Sequence, residues 1–307
     1  MDVSSLIYGY SKALYSTWLF YKPDHLLIDC GEGAATAMGN GSYAIERILL
    51  THGHIDHISG LPSLLWARAA GMGDSEKPLE VFYPAGDVFV QDMLTYLERT
   101  RARLPFEVRF HELEAGAKIQ LSDGKRHIET FATSHIPGKL TLGYKIVETR
   151  RRLKPQFAAL TQEEIRKLAT TQPGGGRAFS EDYQAILAAF GGDGVALDAD
   201  AVRGAELLWH EATLLDAAER KNQLHATLDE AVRVAVEAKV KNLVLYHVSG
   251  RYRTAQIAQA IRQSAERHAV DFPIWCLFRE RLWQAFPASE RATARTQSAS
   301  KEPSVKE

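Results

Sequence analysis

The stretch THGHIDHISG, Thr51 to Gly60, places three histidines and one aspartate within six consecutive positions. A polar loop that happens to contain histidine is the plain alternative. In a chain with so few histidines, however, the pattern H-x-H-x-D-H arises by chance in roughly one sequence in a thousand. Imidazole and carboxylate groups at this spacing are typical metal ligands. The stretch therefore predicts a metal site that contains His52, His54, Asp56 and His57.

The composition limits the fold and the partners. The 307 residues fit one large domain or two small ones. Because the formal net charge is −1, a nucleic-acid partner would need a local basic patch. Cys30 and Cys276 lie in apolar runs, so we expect buried, reduced thiols. Without a signal-peptide pattern or an apolar run of about eighteen residues, a cytoplasmic protein without a membrane span is expected.

The other candidate ligands follow apolar runs that read as strands. His135 follows HIETFATS, Asp193 follows YQAILAAFGG, and His247 follows NLVLY. His210 and Glu211 end the strand-like run in GAELLWHEAT, and His225 precedes a helix that begins with a capping box. Since sites in α/β folds gather at the carboxyl ends of strands, a sheet core is expected to bring these residues to one edge. The strands between residues 106 and 147 are predicted to form a largely antiparallel sheet.

This ligand set suits a two-metal centre. Two ions about 3.5–4 Å apart need roughly seven ligands, one of them a shared carboxylate. His52 and His54 can chelate one ion, which His135 completes. Asp56 and His57 can serve the second ion with His247, and Asp193 can bridge both. Water shared by two cations would ionise near neutral pH and attack a phosphorus or carbonyl centre.

Two segments differ from the rest of the chain. Residues 148–182 are first basic, then helical and then rich in glycine, which predicts an arm inserted outside the core. From Pro287 the chain has no apolar period, so residues 287–307 are expected to be a disordered tail. The predicted organisation is one domain over residues 1–286, with the arm inside it, followed by the tail.

Several motifs occur in an order that resembles a known family. They are LLIDCGEG, THGHIDHISGLPSLL, SH…LGY, GGD, LLWHEAT, HAT and YHVSGRY, and they span roughly residues 24–286. Together they resemble ribonuclease Z, the transfer-RNA 3′-processing endonuclease family of the metallo-β-lactamase superfamily. The resemblance implies an α/β fold, the αββα metallo-β-lactamase sandwich. It also implies two zinc ions, with manganese or iron as alternatives, an RNA partner and a homodimer.

The resemblance also implies roles for individual residues. His52, His54 and His135 would hold one zinc ion, Asp56, His57 and His247 the other, and Asp193 would bridge them. Asp56 would also orient the attacking water. His225 would protonate the leaving 3′-oxygen, and Glu211 would hold His225 in place. Ser249 and Arg251 match positions near the substrate phosphate. The basic run Arg150–Lys154 stands where the family carries its RNA-binding arm, and it is either an RNA contact or a solvated surface.

The chain departs from the family at three places. The Leu-Gly-Thr turn and the Pro-x-x-x-Arg-Asn stretch are replaced by LIYGYSKALYSTWLFY, Gly194 stands where the family has threonine, and the arm is short. These departures concern RNA specificity and not the metal chemistry. The predicted function is therefore hydrolysis of RNA at the 3′ end of a transfer-RNA precursor by a metal-bound hydroxide. Two alternatives remain, namely a hydrolase of small phosphodiesters or related compounds with the same site, and an RNA-binding protein with an inert site.

Overall fold

Short apolar strands and amphipathic helices alternate along the chain. The computed structural model describes residues 2–72, 77–157, 159–171, 179–221 and 224–287. The strands are β1 Ile7–Lys12, β2 Ser16–Tyr21, β3 Leu26–Ile28, β4 Arg47–Leu49, β5 Leu79–Pro84, β6 Val108–Leu113, β7 Lys118–Gln120, β8 Arg126–Thr133, β9 Thr141–Leu153, β10 Ser180–Phe190, β11 Leu208–Glu211, β12 Leu243–Tyr246, β13 Ile274–Phe278 and β14 Arg281–Phe286. The helices are α1 Val3–Leu6, α2 Ala34–Met38, α3 Ile55–Ile58, α4 Leu61–Met72, α5 Val88–Arg101, α6 Gln162–Thr171, α7 Leu228–Glu237 and α8 Thr254–Arg267.

The strands form two sheets of six and eight strands. The first has the order β1-β2-β3-β4-β5-β6, and its strands from β3 onward are parallel. The second has the order β14-β13-β12-β11-β10-β9-β8-β7, with β10 to β13 parallel. The antiparallel prediction holds for β7, β8 and β9 but is wrong for β6, which pairs parallel with β5. Helix α5 lies between β5 and β6 and provides the long crossover that a parallel pair requires.

The central strands bury side chains on both faces, which explains their continuous apolar runs. In β3, Leu26 and Ile28 face the second sheet, and Leu27 packs against the helices α2 and α4. In β12, Val244 faces the first sheet and Leu245 packs against α7 and α8. Helices thus cover the outer faces of two sheets that pack against each other, which confirms the predicted αββα sandwich.

The predicted arm begins as an extension of the second sheet. Strands β9 and β10 continue past the core as an antiparallel hairpin, in which Arg151 faces Asp182 and Leu153 faces Ser180. Helix α6 lies between these two strands in sequence. Except for Pro287, the predicted tail lies outside the described residues. Within the described part of the chain, no helix has both the length and the apolar character needed to cross a membrane.

Candidate metal centre

The histidine-rich loop begins where the buried strand β4 ends. His52 and His54 follow this strand, and the short helix α3 carries Asp56 and His57. Gly53, between the first two histidines, donates its N–H to Oδ2 of Asp87 at 2.7 Å. A Cβ atom at Gly53 would lie 2.3 Å from Oδ1 of the same carboxylate, so only glycine allows this close approach. The loop is therefore fixed against the start of helix α5.

Three further candidate ligands reach the loop from the second sheet. His135 follows β8, Asp193 follows β10, and His247 follows β12. We call these residues and the four candidate ligands of the loop the metal rim: His52, His54, Asp56, His57, His135, Asp193 and His247. The structure brings all seven together, although they are spread over almost two hundred positions of the chain. Gly194 adopts φ +155°, and a Cβ there would lie 2.7 Å from the Ser134 carbonyl oxygen, which excludes the family threonine.

The metal rim contains two clusters of ligand atoms and a carboxylate between them. The ligand atoms of His52, His54 and His135 lie within 4.8 Å of one another, and so do those of Asp56, His57 and His247. Oδ2 of Asp193 lies 3.3 Å from Nε2 of His57 and 3.0 Å from Nε2 of His247. The ligand atoms of Asp193, His52 and His57 form a further group. This placement is the one that a bridging carboxylate needs.

The hydrogen bonds of the metal rim fit a bound cation. The Nδ1 atom of each of four histidines has a partner, namely Thr51 Oγ1 for His52 at 3.0 Å, Asp29 Oδ2 for His57 at 2.8 Å, the Leu224 carbonyl for His135 at 2.8 Å and Thr213 Oγ1 for His247 at 2.9 Å. Within the described residues, the buried atoms His52 Nε2, His57 Nε2 and Asp193 Oδ1 have no hydrogen-bond partner. Fixed Nδ1 atoms and free Nε2 atoms are the usual arrangement around a metal.

The charges of the metal rim also suit a cation. Burial alone would raise the pKa of Asp193, but the charges of His247 and His57 outweigh burial and hold that pKa well below its usual range. Burial would raise the pKa of Asp56 as well, but its hydrogen bond to His247 together with the charges of His57 and His247 outweighs burial, and that pKa is lowered. Burial opposes protonation of His247, yet Asp193 raises the His247 pKa to about 9. Both carboxylates are therefore ionised, and a bound cation would replace the proton on His247.

Asp29 is a candidate site residue that the sequence analysis missed. Its buried carboxylate accepts the backbone N–H of Thr51 at 2.8 Å and lies 2.8 Å from Nδ1 of His57. It therefore positions the start of the histidine-rich loop and one ligand ring at the same time. The signal was present in the sequence, since Asp29 ends the apolar run LLID in the same way that other site residues end theirs.

His225 and Glu211 form a pair beside the metal rim. Nδ1 of His225 lies 2.8 Å from Oε1 of Glu211 at the end of β11. The buried Glu211 carboxylate also accepts the backbone N–H groups of Gly194, Thr213 and Ala226 at 3.2, 2.7 and 3.1 Å. Burial lowers the pKa of His225, but the hydrogen bond and the charge of Glu211 outweigh it, and the pKa is raised overall. The pair can therefore hold a proton next to the metal rim.

His210 supports the same region from behind. Its Nε2 accepts the N–H of Leu197 at 3.1 Å, and its Nδ1 donates to the Glu211 carbonyl at 2.7 Å. The ring thus ties the loop after Asp193 to strand β11. The described contacts of His210 explain its burial without a metal, so it is a structural residue of the site.

The two predicted phosphate contacts have different surroundings. The backbone N–H of Ser249 donates to the Thr213 carbonyl at 3.2 Å, which places Ser249 next to the residue that supports His247. Arg251 is exposed, and its guanidinium pairs with Glu219 at 3.1 Å and lies over the Tyr252 ring. These described contacts of Arg251 are not with the metal rim.

The three consecutive arginines of the basic run in the predicted arm, Arg150, Arg151 and Arg152, each have an acidic partner on the hairpin or beside it. Arg150 pairs with Glu148 and Glu206, Arg151 with Asp182, and Arg152 with Glu181. Arg150, Arg151 and Arg152 thus contribute little net positive charge, although the run appears strongly basic in the sequence. Lys154 also has an interaction partner.

Comparisons with known proteins identify related sequences. Residues 10–170 match the family model of the Anti-Pycsar protein Apyc1. Ribonuclease Z of Lactococcus lactis subsp. lactis (strain IL1403) is 32% identical over 281 residues, which are 83% of this chain and 89% of that protein. Ribonuclease Z of Bacillus velezensis (strain DSM 23117 / BGSC 10A6 / LMG 26770 / FZB42) is 31% identical over 288 residues, 86% of this chain and 88% of that protein.

Solved structures support the fold. The short form of human tRNase Z superposes with a TM-score of 0.59 at 23% identity and covers 80% of this chain and 93% of its own. The metallo-β-lactamase-fold protein YhfI from Bacillus subtilis gives a TM-score of 0.60 at 16% identity, with 90% and 99% covered. At these identities the likeness concerns the fold alone, and it confirms the predicted metallo-β-lactamase sandwich.

Proposed function

Because the chain belongs to the ribonuclease Z family of metal-dependent hydrolases and to the Apyc1 sequence family, we propose that it cuts RNA endonucleolytically at the 3′ end of a transfer-RNA precursor. The observation that carries this proposal is the metal rim beside the His225–Glu211 pair. Ligands for two cations and a proton donor next to them are what phosphodiester hydrolysis requires. The names of the relatives supply the RNA substrate, and the geometry supplies the chemistry.

The metal ligands would act in two groups. We assign His52, His54 and His135 to one ion, and Asp56, His57 and His247 to the other, with Asp193 between them. Zinc is the proposed metal because neutral imidazole and carboxylate suit it, with manganese and iron as alternatives. Two such ions would supply charge stabilisation to the phosphate and would activate water.

The protein side chains would orient the water and move the proton. Asp56, at the edge of the metal rim, would orient the attacking water through its carboxylate. His225 would give its proton to the leaving 3′-oxygen, and Glu211 would keep the imidazole charged and correctly turned. The products would be a 3′-hydroxyl and a 5′-phosphate, because the proton goes to the 3′-oxygen. Ser249 would help to position the phosphate from its place beside Thr213.

We also propose a homodimer and a cytoplasmic location. Large apolar side chains are exposed on α4 and α5, namely Trp66, Val88, Phe89 and Tyr96, and such groups favour association with a second copy. Both cysteines are free and buried, which suits a reducing compartment. Sedimentation of the purified protein would test the dimer, and a single species with the mass of one chain would exclude it.

A hydrolase of small phosphodiesters is the second candidate. One observation favours it, since Arg150, Arg151 and Arg152 of the arm are paired with acids. The test is to compare kcat/KM of the metal-loaded protein for a 3′-extended transfer-RNA precursor and for an activated aryl phosphodiester. We expect the RNA to be preferred by orders of magnitude. Turnover of the aryl diester without RNA cleavage would establish the second candidate instead.

A further inference from the structure

A basic cleft lies next to the metal rim. It has a volume of about 450 Å³ and is formed by the loop before α8 and the turn between β13 and β14. We call it the arginine cleft after Arg251, Arg253, Arg279 and Arg281, which all line it and are all exposed. The four arginines come from two segments that are far apart in the sequence, so no charge run marks the cleft.

The arginine cleft carries net positive charge. Arg251 pairs with Glu219, and Glu280 is the acidic residue in the lining. Among the residues that the structure describes, no carboxylate lies within ion-pair distance of Arg253, Arg279 or Arg281. The whole chain has a formal net charge of only −1, so this local excess is the kind of patch that an anionic partner requires.

Backbone contacts fix the cleft relative to the metal rim. Arg279 exchanges two backbone hydrogen bonds with Ser11, at 2.7 and 3.0 Å, and the Ser11 hydroxyl accepts the N–H of His247 at 2.9 Å. Gly250 lines the cleft and follows His247 by three residues, which limits their Cα separation to about 11 Å. An RNA strand with one phosphate at the metals can therefore reach the cleft with a neighbouring phosphate.

The guanidinium groups are presented for anion binding. Arg279 lies 5.4 Å from the centroid of the Phe278 ring, and Arg281 lies 5.8 Å from that of Trp283. Rings below the guanidinium planes support them and leave their N–H groups free for a ligand. Planar forks of N–H donors can bind two oxygens of a phosphate group at once.

We propose that the arginine cleft binds a backbone phosphate of the RNA next to the scissile one. This inference rests on the proposed RNA substrate and adds Arg253, Arg279 and Arg281 to the residues that select it. The cleft would raise the affinity for a polynucleotide and would contribute nothing to a diester that carries a single phosphate. The chain would then select RNA with arginines next to the metal rim, because Arg150, Arg151 and Arg152 of the arm are already paired with acidic residues.

The test compares two double variants, each of which replaces two arginines. R279Q/R281Q removes two of the four arginine charges that line the cleft, and R151Q/R152Q is the matched control on the β9–β10 hairpin. Affinity of the metal-loaded protein for a 3′-extended transfer-RNA precursor is measured by anisotropy at several salt concentrations. We expect R279Q/R281Q to weaken binding about tenfold and to reduce the salt slope by about 0.7, since the cleft binds one phosphate and each lost single-strand phosphate contact removes about 0.7. The control should stay within about twofold of wild type.

The outcomes separate this inference from the proposed function. If wild type cleaves the RNA but R279Q/R281Q binds it as tightly as wild type does, the cleft inference is wrong and the proposed function stands. If wild type does not cleave the RNA, the proposed function fails, and the same binding measurement still decides whether the cleft holds RNA. Equal weakening by both double variants would indicate unspecific attraction and would also overturn the inference. Turnover of the aryl diester and the melting temperature serve as checks that metals and fold are intact.

Discussion

The metal rim and the arginine cleft are neighbours, but their side chains are held in opposite ways. Four histidines of the metal rim are buried or nearly so, and each has a hydrogen-bond partner that turns its ring. The arginines of the cleft are exposed, and Arg253, Arg279 and Arg281 have no described acidic partner. Buried side chains with hydrogen-bond partners hold a fixed geometry, which catalysis requires, whereas exposed charges attract an oppositely charged ligand over a distance. We infer that the metal rim sets the chemistry and that the cleft sets the choice of substrate.

The largest effect is expected when the metal rim loses its proposed shared ligand, Asp193. Asp193→Ala should remove metal from both positions and reduce turnover of RNA and of small diesters on the order of a thousandfold or more, because two-metal charge stabilisation is lost. Elemental analysis of the purified variant checks the stoichiometry. If two ions per chain remain bound, Asp193 does not bridge them.

Removal of the proposed proton donor should spare the metals. His225→Ala is expected to slow RNA cleavage by about 10²–10⁴-fold, the usual contribution of a general acid. The defect should shrink for an aryl diester, whose leaving group needs no proton. Single-turnover rates on both substrates are the measurement, with metal content as the control. An equal loss on both would assign His225 to substrate positioning.

A smaller effect is expected from the carboxylate behind the loop. In Asp29→Asn, the amide can no longer accept from both Thr51 and His57 as the carboxylate does. Partners of ligand histidines typically contribute 10- to 100-fold to metal affinity, so we expect a loss of about that size. Competition with a chelator measures it. Asp24→Asn is the matched control, because the Asp24 side chain is also buried but pairs with Arg126 away from the site. If both variants bind metal with equal affinity, Asp29 contributes to folding and not to metal binding.

The smallest effect concerns the paired arginines of the hairpin. Glu181→Gln with Asp182→Asn would free Arg152 and Arg151 from their partners. If neutralisation of Arg151 and Arg152 by these acids weakens RNA binding, the affinity of the double variant for RNA should rise by about two- to fivefold. Its salt slope should also steepen. Anisotropy titrations at two salt concentrations measure both. Unchanged affinity would mean that the hairpin lies away from the path of the RNA, whatever its charge.

The sequence predicted those site residues that are marked by their neighbours along the chain. The loop ligands are adjacent in the chain, and His135, Asp193 and His247 each follow a strand whose apolar run is visible. The carboxyl ends of β4, β8, β10 and β12 lie at the same edge of the sandwich, which explains why the set could be named in advance. The assignment of single residues to metal or substrate remains a proposal.

The sequence did not predict contacts that depend on cross-strand register and tertiary packing. Arg151 and Asp182 are far apart in the chain, and only the pairing of β9 with β10 places them side by side. Arg279 joins Arg251 and Arg253 because Ser11 ties its turn to the end of β12. A run of like charges in a sequence therefore shows which charged residues are present, but not how many of them lack an ion-pair partner in the fold. Asp29 shows the same limit, since its contact with His57 crosses from one loop to another.

The most direct test is to map the ends produced from a 3′-extended transfer-RNA precursor by the metal-loaded protein. Asp193→Ala serves as the inactive control. We predict one cut at the 3′ end of the transfer RNA, with a 3′-hydroxyl on the transfer RNA and a 5′-phosphate on the released trailer. An uncut precursor in the presence of active turnover of an aryl diester, or cuts at scattered positions, would contradict the account.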